Sequence, residues 1–389
     1  VDDLTTLLAF LQLYDVRPEK ESLTEEAASA VSAYFLKGHN DPLRLGLMVG
    51  VARGLDLLAE DSNGYLKPQP ANARRWLEKT RSQQVQALVE GWLKTPFFAE
   101  LNYLPNLIVE AGSWRVDPTL ARQTLQRFLG QVSPEAWFSV AAFILRIKRE
   151  DPDFQRPAAN YDSWYIRDVD SQQYLHGFEH WERIDGGVLY LALSESLVWL
   201  GLVDRGENED GLMVRLNAYG RAFVRGSAYP QATETQSSLV FEGAERFRVA
   251  RAFNRYERFQ LARFTDWESA GDPYLYRLTA ESLRRAERQG IKIEHIRTFL
   301  KRATQNNIPP ETLTLLEQWE VLGNSTFNIG TLDVLFAPNE AALEALWEAP
   351  ETRRFLGRRL GPLAVEVRAG QRPQLTEALS QKGLSLEED

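Results

Sequence analysis

The sequence predicts an α+β protein, mostly helical, with helical modules over residues 1–230 and an α+β domain over 236–389. Three observations predict it. Apolar residues recur at helical spacing through most of the first half. The extended runs of that half are short and flank turn clusters such as Asp61-Ser62-Asn63-Gly64. After residue 236, strand-like runs such as Tyr274–Leu278 alternate with helical stretches that carry their own caps.

Residues 1–92 read as helices closing on a hairpin. Leu7, Leu8, Leu11 and Leu13 give one helix, and Ala28, Val31, Tyr34 and Phe35 give a second. Leu45–Leu58 gives a third, ahead of the turn cluster and the extended run Tyr65-Leu66-Lys67. Pro68 and Pro70 break that run, and a further helix carries Trp76 and Leu77. Helix, helix, hairpin is the order of a winged-helix unit. Residues 184–230 repeat it. Val188, Leu189, Leu191, Leu197, Val198 and Leu200 form an apolar helix ended by Gly201. Leu202–Arg205 is a strand, Gly206–Gly211 a polar turn and Met213–Leu216 the return strand, with Asn217 capping a helix through Phe223. Between the two modules, residues 93–183 read as a helical linker region. Asp117-Pro118 and Ser133-Pro134 start its helices, and Glu150–Asp170 forms an ordered loop holding Tyr161, Trp164 and Tyr165.

In the second half, Ser237–Phe241 reads as a strand and Arg246–Phe264 as a long helix. Strand Tyr274–Leu278 leads to the cap Thr279, and Gly290 ends the helix that follows. Ile293 through Ala303 keep helical spacing, and Pro309-Pro310 opens a helix closed at Gly323. The tail alternates: Phe327–Phe336 extended, Glu340–Leu356 helical, Leu363–Val367 extended, Gln374–Gln381 helical. The Pro, Ser and Thr-rich stretch Ser227–Ser238 sets the boundary between the halves.

A length of 389 residues allows two to four domains, and 44% hydrophobic with 25% charged residues is an ordinary globular balance. With no cysteine, disulfides, thiolate metal sites and cysteine nucleophiles are excluded, and 4 His leave little imidazole chemistry. A net charge of −9 argues against a protein coated in nucleic acid while allowing a local basic face. The longest apolar run, Val188–Val203, is interrupted by Ser194, Glu195 and Ser196 and is too short for a bilayer. The acidic start Val1-Asp2-Asp3 does not open a secretory signal, and a first residue other than Met is what a processed or excised chain would show. Cytoplasmic is the expected location.

The motifs of a motor are missing. No Gly-Lys-Ser or Gly-Lys-Thr closes a phosphate loop, no dinucleotide fingerprint follows a strand, and no Gly-x-Ser-x-Gly elbow occurs. His176-x-x-x-His180, near Glu179 and Glu182, has metal-like spacing, but Gly177 weakens the helix such a site requires. We therefore expect no catalytic residues, no metal, no cofactor and no small-molecule substrate.

The informative constellation is basic. On the expected helix 246–264, Arg248, Arg251, Arg255 and Arg258 fall on one face, opposite Val249, Phe253, Tyr256 and Phe264. Arg284, Arg285, Arg288 and Lys292, then Lys301 and Arg302, follow on the next two helices. Residues 246–302 hold 14 basic and 7 acidic side chains, a local excess of +7. Such a stripe suits phosphates or an acidic partner. A solvated face interleaved with Glu257, Glu281 and Glu287 fits the same residues.

The run Tyr274-Leu-Tyr-Arg-Leu-Thr-Ala-Glu-Ser-Leu-Arg-Arg-Ala-Glu-Arg-Gln-Gly290, then Ile296–Leu300 and Ile308-Pro309-Pro310, resembles the N-terminal domain of XPB-type DNA helicases, also called the helicase-associated domain in bacterial proteins. Leu197-Val-Trp-Leu-Gly-Leu-Val-Asp204 and Leu216-Asn-Ala-Tyr-Gly-Arg-Ala-Phe223 resemble the winged-helix segment that precedes it. The resemblance is clearest for residues 186–370 and carries no motor, so it implies only accessory roles. It implies contact with DNA, weak and sequence-tolerant, or with a helicase subunit, in repair or transcription. The layout is similar to the non-motor partner of XPB in the eukaryotic repair and transcription factor. A winged-helix transcription regulator is the alternative. The apolar helices ahead of both hairpins favour a protein contact over a DNA groove.

Overall fold

Leucines at helical spacing produce the first helix, Asp2–Leu13, which buries Leu4, Leu7, Leu8 and Leu11. The computed structural model describes residues 1–36, 41–110, 114–209, 211–231, 237–323 and 329–386. It mixes helices with six small sheets, and its described strands pair antiparallel within them. Two compact units divide the chain, Val1–Gly323 and Asn324–Asp389.

Residues 1–77 keep the expected helices and hairpin, but a further hairpin enters after the first helix and the second helix ends at Ser32, before Tyr34 and Phe35. A two-residue hairpin, Pro18–Glu19 with Ser22–Leu23, leads to helix Glu25–Ser32. Helix Pro42–Gly54 is capped by Asp41, whose Oδ1 accepts from Arg44 N at 3.1 Å. It stops at Gly54 rather than Leu58, because Leu58 opens the strand Leu58–Glu60. That strand pairs with Leu66–Pro68 across a turn in which Asp61 Oδ1 accepts from Asn63 N and Tyr65 N. Pro68 ends the return strand instead of breaking it, at a sheet end where a proline is tolerated. Leu66 N also donates to Val16 O at 2.8 Å, which lays the segment after the first helix along the hairpin.

Residues 93–183 depart from a helical linker. Leu107–Val109 and Ile166–Asp168 form a two-stranded pair inside it. The helix expected from Ser133-Pro134 starts only at Val140, capped by Ser139. Phe138 and Ser139 lie instead opposite Val214 and Met213, as the outer strand of a sheet ordered Phe138–Ser139, Gly211–Leu216, Val203–Asn208. The second module therefore begins well before residue 184. Its main helix runs Trp181–Leu191, passes through a wide turn at Ala192–Ser196 and ends at Leu197–Trp199. The wide turn brings Ser196 Oγ to Glu100 Oε1 at 3.0 Å. The hairpin strands extend to Asn208 and restart at Gly211, so the expected polar turn is mostly strand; its residue Asp210 lies outside the described residues. Asn217 caps helix Ala218–Arg225, accepting from Tyr219 N and Gly220 N.

The largest correction falls on the expected helix 246–264. Arg246–Val249 is a strand with Phe247 and Val249 buried and both arginines exposed, a period-two pattern. Asn254 then caps the shorter helix Arg255–Ala262. The sheet runs Val240–Phe241, Arg246–Val249, Tyr274–Arg277, Asp266–Ser269, with Ser237 joined to Phe253 by an isolated bridge. Helices Ala280–Arg288, Ile293–Ala303 and Pro310–Leu322 follow as expected, the first with a capping box from Thr279 and Ser282.

No unit boundary lies near residue 236. Phe247, Phe253, Tyr274 and Tyr276 share one hydrophobic cluster with Leu4, Leu7, Leu8 and Leu11, so residues 237–323 fold onto the first module. Part of the expected linker, residues 232–236, lies outside the described residues. A second cluster takes in Trp92, Phe128, Phe143, Trp181 and Phe223. The C-terminal unit has its own core of Leu335, Leu343, Leu356, Val365, Leu375 and Leu379 under a sheet ordered Asp333–Phe336, Ala364–Val367, Leu356–Arg359. Of the expected strand Phe327–Phe336, residues 327 and 328 lie outside the described residues and pairing starts at Asp333. The expected helix Glu340–Leu356 breaks at Pro350, and Leu356 belongs to the sheet. Among the described residues no helix is long and apolar enough to cross a membrane.

Candidate nucleic-acid interface

The ten basic residues singled out in the sequence do not form a row. Arg248 is exposed on the strand Arg246–Val249 and meets Glu242 at 3.1 Å. Arg251 lies in the following loop, where its Nε meets Asp2 Oδ2 at 2.7 Å and its backbone N donates to Asp272 Oδ1. Arg255 and Arg258, the two on the helix, are 5% and 3% exposed. Arg258 donates to Thr6 Oγ1 at 3.0 Å and to Asp2 O at 2.6 Å, with its guanidinium 4.2 Å from the Tyr274 ring centre. Arg251 and Arg258 therefore tie the later segment to the N-terminal helix. Arg81 adds two bonds to Asp2 at 3.0 Å, and Arg44 pairs with Asp3. Burial alone would raise the Asp2 carboxyl, but the bonds from Arg81 and Arg251 hold it below the usual carboxylate range.

The other six lie on the helices Ala280–Arg288 and Ile293–Ala303 or at their ends. Arg285 is tied down by Thr265 O and Asp266 Oδ1, both at 2.8 Å. Arg284 is exposed beside Trp319, its guanidinium 5.5 Å from the ring centre. Arg302 Nε meets Glu257 Oε1 at 3.0 Å. Arg288, Lys292 and Lys301 are exposed, and none is within ion-pair distance of a described carboxylate. Of the ten, the exposed cations without a described carboxylate partner therefore sit on the helices Ala280–Arg288 and Ile293–Ala303 or at their ends rather than along residues 248–258.

A feature missed in the sequence lies beside them. Arg74, Tyr256, Gln260, Arg263, His295 and Arg302 line a cavity of about 410 Å³, floored by Phe264, Ile296 and Phe299. It joins helix Pro70–Leu77 to the helices Arg255–Ala262 and Ile293–Ala303. His295, Phe299 and Arg302 share a face because they are spaced four and three apart. That spacing was a readable signal; Arg74, from a distant helix, had none.

A larger cleft of about 640 Å³ lies between the helices Val140–Glu150 and Trp181–Leu191, lined by Leu104, Ile144, Leu145, Tyr190 and Leu191. Leu145 and Tyr190 are 55% and 44% exposed. Arg183 at its edge is paired with Asp168. His176 and His180 do not share a helix: Gly177, at φ 85°, separates His176 from the short turn Phe178–His180. Among the described residues, no three His, Asp or Glu side chains converge as a metal site.

Residues 249–361 match the family described as the helicase conserved C-terminal domain. The matched stretch carries Arg251 to Arg302 and every cavity residue except Arg74, and it extends into the C-terminal unit. It supports a helicase-related origin for this part of the chain. No curated protein matches the chain.

Proposed function

We propose that this chain is a non-catalytic, helicase-associated protein that holds nucleic acid weakly and works beside a helicase subunit. The observation that carries the reading is the helicase C-terminal match over residues 249–361, in a sequence without a phosphate loop. Arg288, Lys292 and Lys301 supply exposed cations that suit phosphate contacts without reading bases. Two winged-helix units fit helices closing on a hairpin in residues 2–68, where a small hairpin follows the first helix, and again in 118–216, where the strand Ile166–Asp168 lies between the last two helices. The helix ahead of the first hairpin buries Leu45, Leu47, Val49 and Val51. The second carries the apolar cleft around Leu145 and Tyr190. These features favour protein contacts for both units over a sequence-specific regulator.

Fluorescence anisotropy with random-sequence duplexes across a salt series tests the proposal. The wild-type chain should bind weakly, with little sequence preference. Replacing Arg288, Lys292 and Lys301 together by Glu should weaken binding and reduce the salt slope by about 2–3, since each lost phosphate contact removes close to one. ATP hydrolysis by the purified chain, or a strong preference for one duplex, would overturn the reading.

A further inference from the structure

Among the described residues the cavity between Arg74, Arg263 and His295 has no acidic lining, and of its three arginines Arg263 has no carboxylate partner. Its charged lining residues are Arg74, Arg263 and Arg302, with His295 beside them. Arg74 and Arg302 each engage a carboxylate through Nε, Glu78 at 2.8 Å and Glu257 at 3.0 Å. Their Nη groups are left for another acceptor. Their side chains are 61% and 60% exposed, which places them at the open side.

Arg263 is the more enclosed of the three. Its Nη1 donates to Gln260 Oε1 at 3.1 Å and its Nε to Gln289 Oε1 at 3.3 Å, both neutral amides. No described carboxylate pairs with it. Burial without a counter-charge pulls its guanidinium below the ordinary arginine range. A half-buried cation in that position is stabilised by an anion arriving from solvent. His295 contributes a directed donor: its Nδ1 accepts from Lys292 N at 3.2 Å, so the neutral ring carries its proton on Nε2.

We propose that this cavity is a phosphate site, taking one phosphoryl group between the Arg263, Arg74 and Arg302 guanidinium groups and His295 Nε2. Three guanidinium groups and an imidazole N–H offer a tetrahedral phosphate, whether monoester or diester, more donors than a carboxylate can use. A volume of about 410 Å³ exceeds one phosphate, and Tyr256, Ile291 and Phe299 offer apolar wall for the sugar or base attached to it. The ligand class is a phosphate ester of a nucleic-acid strand, either a terminal monoester or a backbone diester. The site stands on its own geometry; only the source of the phosphate rests on the nucleic-acid reading above.

Calorimetry on the full chain, first with inorganic phosphate and then with one single-stranded oligonucleotide with and without a 5′-phosphate, tests it. Inorganic phosphate should bind wild type, and Arg263→Gln should weaken it at least tenfold. Arg302→Gln, at the open side, is the second variant should Arg263→Gln fail to fold, and it should weaken phosphate severalfold. A 5′-phosphate that strengthens oligonucleotide binding only in the wild type assigns a terminal monoester. Equal loss for both oligonucleotides in the variant assigns a backbone diester. Phosphate binding that survives in both variants, or none at millimolar concentration, overturns the site, as does an Arg263-dependent preference for poly-glutamate over phosphate. If phosphate binds through Arg263 but no oligonucleotide binds, the site stands and the proposed function fails. If oligonucleotides bind through Arg288, Lys292 and Lys301 while Arg263→Gln changes nothing, the function stands and the site fails.

Discussion

Burial separates the arginines that build this protein from those that could serve a ligand. Arg258, at 3% exposure, has already spent its donors on Asp2 and Thr6, whereas Arg288 keeps its own facing solvent. The same logic applies to a carboxylate. Glu21 accepts from Ala99 N at 3.2 Å and Asn102 Nδ2 at 2.7 Å, yet burial outweighs both bonds and pushes its carboxyl up to about 7. Because the folded value is raised above the ordinary value of 4.5, the stability it contributes is full below pH 4.5 and is lost as pH rises through 7. Urea unfolding of wild type and Glu21→Gln at intervals between pH 4.5 and 8 should show the difference between them changing across that window and levelling off above it. Asp2 has the opposite sign: held low by its arginines, it gives up its contribution only as the solution turns acid.

At the scale of elements, Arg258 ties helix Arg255–Ala262 to helix Asp2–Leu13. Arg258→Ala would leave the Asp2 carbonyl and Thr6 hydroxyl short of a buried donor, and should cost about 2–4 kcal/mol in urea unfolding. The oligonucleotide affinity of the folded fraction should not change, which distinguishes this residue from the exposed cations. Elements with a cap and a long period were legible in the sequence: Asn217 and Thr279 start their helices where expected, and Ile293–Ala303 keeps its spacing. The strand Arg246–Val249 was hidden because arginines spaced three and four apart imitate a helix face, while the alternation of Arg246, Phe247, Arg248 and Val249 occupies only four residues. Phe138–Ser139 is shorter still, and only its partners Val214 and Met213 make it a strand. The phosphate cavity was half legible, through His295 and Arg302, and otherwise depended on Arg74 arriving from another part of the chain.

For the whole molecule, the decisive fact is that residues 237–323 share a core with the first helix. A fragment of residues 237–323, without the C-terminal unit, would lose the part of its core that lies in the first module, around Phe247, Tyr274 and Tyr276, now at most 1% exposed. It should bind a hydrophobic dye strongly and melt without cooperativity, whereas residues 1–323 should melt cooperatively. Circular dichroism and dye fluorescence on both fragments check this, and a cooperative melt for 237–323 would refute the shared core. The tie between Asp2 and Arg251 spans 249 positions. On a ribosome adding about 5–20 residues per second, the first helix waits roughly 12–50 s for that partner to emerge. Until then the side of the first helix that packs on helix Arg255–Ala262 has no native cover. Nascent chains of this protein are therefore expected to be clients of holding chaperones until well past residue 250, and to aggregate when translation stalls before it.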